Sequence, residues 1–371
     1  MTIGVAREVR YQEYRVGLTP SGAARLVGLG HTVLVASGAG VGAGFPDDEY
    51  VARGARILRL NEDLYGEADL VVKFHAPTEA ECPFLREGQI LFCSLHLATM
   101  PDLARALLDQ GVTAIAYETV TRPDGRMPIV RPMSEIAGKM AVQVGASLLQ
   151  KSQGGRGVLL GGVTGVDPGV VTILGAGTVG VHAARVAEGM NARVFLLDND
   201  LDRLRQADEV FLGRVNTLFA DADAIERQVI ASDLVIGAVQ EPGRRAPVLV
   251  PESLVARMVP GAVIVDVAID QGGCVETMRP TTHGHPTFVV HDVVHYGVPN
   301  MPGAVPRTST LALTQVTVGY LERIARLGLE EAVRTDTSLA AGINTHRGRM
   351  VHPVVADALG IQVTPIQDLF G

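Results

Sequence analysis

A few residues in this 371-residue chain have types and spacings that could do chemistry, and one stretch is highly patterned. Gly175-Ala176-Gly177-Thr178-Val179-Gly180 follows the apolar run Val170–Leu174. It opens a segment in which Val179, Ala183, Val186, Ala187 and Met190 recur at helical spacing. A second apolar run, 193–197, ends in Asp198. Strand, glycine turn, helix, strand and acid in that order form the dinucleotide-binding fingerprint. Gly175 makes the tight turn, Gly177 lets a pyrophosphate approach the backbone, and Gly180 lets helix and strand pack closely. The N–H groups at the helix start face the phosphates. Asp198 is placed to accept hydrogen bonds from the adenosine ribose. Asn199 and Asp200 follow with no adjacent arginine, so a 2′-phosphate would meet negative charge and the expected cofactor is NAD rather than NADP.

Ligands of open α/β sheets bind beyond the carboxyl ends of strands. Four polar residues fall at such ends. His75 closes LVVKFH, His96 closes ILFCSLH, Asp270 closes VIVDVAID, and Arg15 lies in the loop after the first strand. A single histidine at a strand end is more often structural, Arg15 alone would be a surface charge, and Asp270 could cap a turn. Two features favour chemistry. Asp266 and Asp270 share an apolar strand at its nucleotide-facing end. His96 follows six largely apolar residues, so its ring is expected to be partly buried with a pKa near neutrality, which suits a general acid–base.

The elements that must position these groups alternate between strand and helix. Strands are expected at 2–6, 32–36, 68–75, 89–95 and 113–118, with helices from Pro20 to near Gly30 and at 47–54, and helical or loop segments between the later strands, notably 101–110. Such alternation implies a parallel sheet covered on both faces. Residues 38–44, GAGVGAG, follow a strand but lead to Phe45-Pro46 and no acid-tipped strand, so they are read as a flexible turn. A long helix from Pro132 to about Gln153 and a glycine-rich loop lead into the nucleotide fold. Beyond Asp198 come a helix at 201–211 and apolar runs at 234–239, 263–268 and 287–291; with the two runs of the fingerprint these give five strands of an expected six-strand doubly wound sheet. Three prolines between 299 and 306 read as a hinge before a helix at 308–327. The expected fold class is therefore α/β, with two doubly wound parallel-sheet domains. The second, a Rossmann NAD-binding domain at 131–306, is inserted in the first, a substrate and catalytic domain made of 1–130 and 307–371.

Composition narrows the function classes. Hydrophobic residues make up 47% and charged residues 19%, which fits a globular chain and not a disordered one. The net charge is −8 with no dominant basic patch, which argues against a nucleic-acid partner. Three scattered cysteines argue for a reducing compartment and against a disulfide framework or zinc site. No apolar signal segment opens the chain, and no apolar run reaches the roughly 18–20 residues of a membrane helix. The expectation is a soluble cytoplasmic protein with no membrane partner.

Seven segments, in one order, carry a resemblance: EYRVGLTP (13–20), ILFCSLHLA (90–98), AIAYETV (114–120), PMSEIA (132–137), QGGRGVLLGG (153–162), VDVAIDQGGCV (265–275) and NMPGAVPRTST (300–310). Through them the whole chain resembles bacterial alanine dehydrogenase, a family that also includes enzymes of lysine-type substrates and the soluble part of proton-translocating transhydrogenase. The last is disfavoured by the missing membrane span and by the presence of His96 and Asp270. The resemblance implies reversible, NAD-dependent oxidative deamination of L-alanine to pyruvate and ammonia. It implies that Arg15 grips the substrate carboxylate, that His96 serves the carbonyl or carbinolamine oxygen, and that Asp270 acts near the amino nitrogen. His75 and Met133 fall at substrate-pocket positions. Cofactor contacts implied are Ser134, Gly175, Gly177, Thr178, Val179, Gly180, Asp198, Arg203, Val239, Val267, Ala268, Ile269, Asp270, Asn300, Met301 and Pro302. Two domains closing over a cleft and homohexamers are implied as well.

The chain departs from the family pattern at three places. The usual K-V-K-E-P at 73–77 reads Lys73-Phe74-His75-Ala76-Pro77, so a histidine stands where a substrate-binding lysine is expected. Gln240-Glu241 replaces an apolar pair, with a modest effect expected on cofactor affinity. Arg323 and Leu327 stand where some members carry metal ligands, so no metal is expected. His75 opens two alternatives: altered amino-acid specificity, or an NAD-binding homologue with weakened or lost catalysis. The expected kcat/KM is lower than that of a lysine-bearing enzyme.

Overall fold

Apolar runs too continuous for a half-exposed sheet dominate both halves of the chain. In the computed structural model, which describes residues 1–239 and 245–370, they form two sheets in two compact units. One unit comprises Met1–Met133 with Val305–Gly371, the other Ser134–Ala304.

The first unit begins with β1 (Thr2–Val5), β2 (Thr32–Ala36), β3 (Arg56–Leu58), β4 (Leu70–His75), β5 (Ile90–Ser94) and β6 (Thr113–Ala116). These lie parallel in the order β6-β5-β4-β1-β2-β3. Ile343–His346 and Arg349–Met350 from the end of the chain extend the β6 edge antiparallel. Val71, Val72, Leu91, Phe92 and Ile115 are fully buried, as expected where helices cover both faces. The strand order reverses at β1, which is flanked by β2 and β4. A doubly wound sheet leaves its crevice at that switch point. The loop after β1 carries Arg15, and β4 ends in His75.

The second unit contributes β7 (Val170–Leu174), β8 (Arg193–Asp198), β9 (Asn216–Phe219), β10 (Leu234–Gly237), β11 (Val263–Asp266), β12 (Thr287–Val290) and β13 (Val293–Tyr296). Their order is β12-β13-β11-β10-β7-β8-β9. Six strands are parallel, the number expected, but of the five runs named in the sequence only four are among them. The run at 287–291 is an antiparallel edge strand, joined to β13 by a two-residue turn with His291 and Asp292 at φ 50° and 59°. Neither turn residue is glycine, so the hairpin left no obvious signal. β9 also escaped the sequence reading, because NTLF sits on the outer edge, is only partly buried, and lacks an apolar run. The switch point of this sheet lies between β7 and β10, whose ends carry the glycine turn and Val239.

The GAGVGAG segment is a turn, but a packed one. A side chain at Gly42 would stand 2.8 Å from Tyr14 Cβ, and Arg307 Nη1 donates to the Gly44 carbonyl at 2.8 Å. The segment walls the loop that bears Arg15, which is a structural duty and not flexibility. The long helix spans Arg131–Leu148, with a separate single turn at Lys151–Gln153. Gln240-Glu241 lies outside the described residues.

Candidate active site

In the first unit the sequence EYR folds back on itself. Arg15 is 1% exposed, which for a guanidinium demands compensation. Glu13 supplies it: its Oε1 accepts from Arg15 Nε at 2.7 Å and from the Arg15 backbone N–H at 3.0 Å, while its Oε2 accepts from Nη2. The Phe74 ring lies under the guanidinium, 3.4 Å from centroid to Cζ. His75 Nε2 is 2.8 Å from Glu13 Oε2 and 3.2 Å from Arg15 Nη2, and Arg15 Nη1 is 4.0 Å from Met133 Sδ. A carboxylate only accepts and a guanidinium only donates. The shorter, charge-assisted contact therefore places a proton on His75 Nε2, directed at Glu13. The loop is pinned from behind by the helix Pro306–Leu327: Val16 N–H donates to Thr310 Oγ1 and Thr19 N–H to Thr314 Oγ1.

Burial by itself would raise the Glu13 pKa, but Arg15 and His75 hold it far below the usual carboxylate range. Burial lowers the His75 pKa; Glu13 pulls it up again, and Arg15 and Arg10 push it down. At neutral pH the cluster thus holds one cation, one anion and a neutral imidazole.

His96 corrects an expectation. β5 stops at Ser94, Leu95 turns into the core, and His96 adopts a left-handed backbone with φ 51°, so its side chain is exposed and not partly buried. Glu118 builds this turn. Its carboxylate accepts from the His96 N–H at 2.6 Å, the Leu95 N–H at 3.2 Å and the Ser94 hydroxyl at 3.2 Å. Ser94 Oγ lies 3.0 Å from His96 Nε2. Having given its one proton to Glu118, the hydroxyl accepts from His96 Nε2–H, which leaves Nδ1 as the basic nitrogen. Ser94 pairs with His75 across β4 and β5, so His96 lies two residues beyond His75's sheet partner.

Glu13, Glu118 and Phe74 were not read as site residues from the sequence. Glu118 had a signal, an acid at the end of the buried run AIAY; Glu13 had only its two-residue spacing from Arg15.

In the second unit, a dinucleotide fits the glycine turn. Gly175 has φ +107°, and a Cβ there would meet Ala238 O at 2.6 Å. A Cβ on Gly180 would fall 1.7 Å from Gly175 O, while the Cβ side of Gly177 has no atom within 4 Å. The helix Thr178–Gly189 starts at Gly177 with no side-chain cap, leaving its first N–H groups directed at that open side. Asp198, 6% exposed, accepts from Ala176 N–H at 2.6 Å and from Asp200 N–H at 2.8 Å. It therefore ties the turn together and keeps lone pairs to accept ribose hydroxyls. The unopposed negative charge expected here is tempered: Arg203 comes within 3.7 Å of Asp198 and 3.5 Å of Asp200. Ser134 and Val179 approach the same place, since the helix Arg131–Leu148 packs its Gly138 against the Val179 carbonyl.

Asp270 does not end a strand. β11 stops at Asp266, and the residues Val267–Gln271 form one 3-10 turn carrying Val267, Ala268, Ile269 and Asp270. Asp266 is the residue that shapes it, fully buried and accepting from the N–H groups of Ala268, Cys274 and Val275. Burial raises its pKa, and those three bonds work against the rise. Asp270 is exposed and accepts from Asn300 N–H at 3.2 Å, which joins it to the turn holding the buried Met301 and Pro302. Val239 follows β10, half-buried. Among the described residues no group of three His, Cys, Asp or Glu side chains is gathered as for a metal, and Arg323 pairs with Asp336 at 3.5 Å.

Gly180→Ala should weaken NADH binding at least tenfold, read by fluorescence titration, because the added carbon cannot fit without moving the turn, at a cost of ~1–3 kcal/mol or more. Native affinity in that variant would remove the turn from the cofactor site.

A fold of this kind, with a nucleotide turn on one parallel sheet and a buried Arg15–Glu13–His75 cluster on another, is that of a nicotinamide-dependent oxidoreductase of two α/β domains. The chain belongs to the alanine dehydrogenase/PNT family: the profile described as "Alanine dehydrogenase/PNT, N-terminal domain" matches residues 4–137, and that described as "Alanine dehydrogenase/PNT, C-terminal domain" matches 141–353. It is 50% identical to an alanine dehydrogenase of Mycobacterium tuberculosis over 364 residues, covering 98% of each chain. It is also 50% identical to one of Bacillus subtilis over 369 residues, covering 99% of this chain and 97% of that one. A solved L-alanine dehydrogenase superposes with a TM-score of 0.95 at 50% identity, covering 97% of this chain and 99% of that chain. A transhydrogenase from Sinorhizobium meliloti gives 0.82 at 25% identity, covering 95% and 99%. No helix among the described residues is long and apolar enough to cross a membrane.

Proposed function

We propose that this protein is an L-alanine dehydrogenase that uses NAD to convert L-alanine reversibly to pyruvate and ammonia. The observation that carries the reading is half identity, over essentially the whole chain, to proteins named alanine dehydrogenase. The site chemistry agrees with it. Residues 1–130 with 307–371 serve as the substrate and catalytic domain, and 131–306 as the NAD-binding domain.

When bound, NAD supplies the acceptor for the hydride that leaves the alanine α-carbon. The protein's own residues do the rest. Glu13 occupies the Nε side of Arg15, so a substrate carboxylate approaches from the Nη1 end, beside Met133. His96, oriented through Ser94 and Glu118, takes the proton released as water adds to the imine carbon and returns it in the reverse direction. Asp270, held by the Asn300 N–H, serves the amino nitrogen. Met133 puts apolar surface beside the substrate at the Nη1 end of Arg15.

The deciding experiment is NADH formation followed by absorbance across a panel of amino acids and pH. L-Alanine should exceed every other amino acid in kcat/KM by a wide margin. A different best substrate would favour altered specificity, and NAD binding without turnover would favour a non-catalytic homologue. NAD should be preferred over NADP. Asp198→Gly should narrow that preference at least tenfold, because the carboxylate nearest the ribose would be gone and only Asp200 would still compete with a 2′-phosphate for Arg203. An unchanged preference would remove Asp198 from the ribose contact. The reading extends to a cytoplasmic enzyme, which the three free, buried cysteines suit, and to hexameric assembly as in the family pattern.

A further inference from the structure

A carboxylate entering a buried pocket needs a compensating positive charge, since an unpaired anion in such surroundings is costly. Around Arg15 that charge is already spent. Glu13 takes two of its donors, and the pair is 1% and 3% exposed. The next cation, Lys73, is on the same strand as His75, is wholly buried and pairs with Glu81 at 2.5 Å. Glu8 adds a carboxyl from the β1 loop. Its Oε1 accepts from Phe74 N–H at 2.7 Å, and its Oε2 is 3.9 Å from Lys73 Nζ with no hydrogen-bond partner. Burial pushes the Glu8 pKa up to about 7, with Lys73 opposing. Arg10 reaches the Ala76 carbonyl at 3.4 Å from an exposed position, and Ser94 on β5 brings no charge. With the exposed, solvent-screened Arg10 set aside, the buried charges around His75 (Arg15, Lys73, Glu13 and Glu81) sum to zero while Glu8 is protonated and are negative once Glu8 ionises.

His75 is the member of this cluster that can change the sum. Its Nε2–H is fixed on Glu13 Oε2, and 18% of its side chain is exposed, so its ring communicates with solvent while Arg15 and Glu13 do not. We propose that substrate-carboxylate binding in this protein is proton-linked: an anionic 2-oxo acid enters together with one proton from solvent, and His75 carries that proton as imidazolium between Glu13 and the substrate. This rests on the assignment of Arg15 as the carboxylate anchor. The proton adds to the second ring nitrogen, no covalent bond to substrate is made, and the proton returns to solvent when the 2-oxo acid leaves.

The sign of the pH dependence follows. Burial holds His75 neutral in the empty site, and the incoming anion favours the charged form. Between the two pKa values the complex holds one proton more than the free protein, so affinity falls by up to roughly tenfold for each unit of rising pH. Alanine brings an ammonium of its own, so pyruvate is the sharper probe.

The test is calorimetric titration of the NADH-bound protein with pyruvate, without ammonia, at pH 7 in two buffers of different ionisation enthalpy. The native protein should take up roughly one half to one proton per pyruvate more than either His75→Lys or His75→Gln. His75→Lys should bind pyruvate with little pH dependence and overtake the native protein as pH rises, giving it the higher kcat/KM in alkaline buffer. His75→Gln should bind weakly at every pH, and Glu8→Gln should keep the native uptake. Pyruvate binding with no such difference, or uptake that survives His75→Lys and therefore belongs to another group such as His96, overturns the inference. Failure of pyruvate to bind at all overturns the reading of Arg15 and this inference with it.

Discussion

Arg15→Met should lower kcat/KM for L-alanine by on the order of a hundredfold to several thousandfold, equivalent to ~2–5 kcal/mol for truncating one partner of a buried, hydrogen-bonded charge pair. NADH affinity, measured separately, should stay native, because Arg15 belongs to the first unit and the glycine turn to the second. The variant should also be destabilised by ~3–5 kcal/mol, since Glu13 would keep its charge at 3% exposure without a cation. The two effects can be separated. Arg15→Met with Glu13→Gln removes both charges, so urea unfolding should show most of the stability restored while kcat/KM stays low. A single variant within tenfold of native kcat/KM would remove Arg15 from substrate binding. A double variant that regained activity with its stability would make the residue purely structural. Lysine is no substitute here: it keeps the charge but loses the forked contact with Glu13 and the flat stack on Phe74.

His96→Asn should lower kcat by about 10²–10⁴-fold, the usual range for a positioned general acid–base, with little change in NADH affinity. It should also remove one limb of the pH–rate profile, which a merely structural histidine would not do. Glu118→Gln should give a smaller loss. The amide keeps an acceptor for the His96 N–H but weakens the charge-assisted bonds that hold Ser94, Leu95 and His96 in the left-handed turn. An unaltered pH profile in His96→Asn would assign the proton transfer elsewhere, and Asp270 would be the next group to vary.

Some of this was legible from residue order alone, because the physics behind it is local. Glycines at 175, 177 and 180 between an apolar run and a helical pattern permit few other structures. The close approaches of Gly175 to Ala238 O and of Gly180 to Gly175 O fall where the fingerprint requires them. Alternating apolar runs and helices sufficed for two parallel sheets, since strands buried on both faces leave unbroken apolar segments. Signals weakened at sheet edges. β9 is half-buried and short, and the β12–β13 hairpin turns on His291 and Asp292 without a glycine.

What tertiary structure alone decided is how the charges pair. Residue types named Arg15, His75, His96 and Asp270, but hydrogen bonds that only the folded chain forms, some between near neighbours and some across 22 or 62 residues, set their state. Glu13 neutralises Arg15 and fixes His75, Glu118 turns His96 outward from 22 residues away, and Asp266 shapes the turn carrying Asp270. The sequence determined that a nicotinamide nucleotide has a turn to bind, that His75 ends a strand, and that Arg15 and His96 follow two others. Only the fold, by turning Glu13 back onto Arg15 and burying the pair against Phe74 and His75 at the end of β4, determined that the arginine arrives with its charge already balanced, because a buried guanidinium cannot stand without a partner.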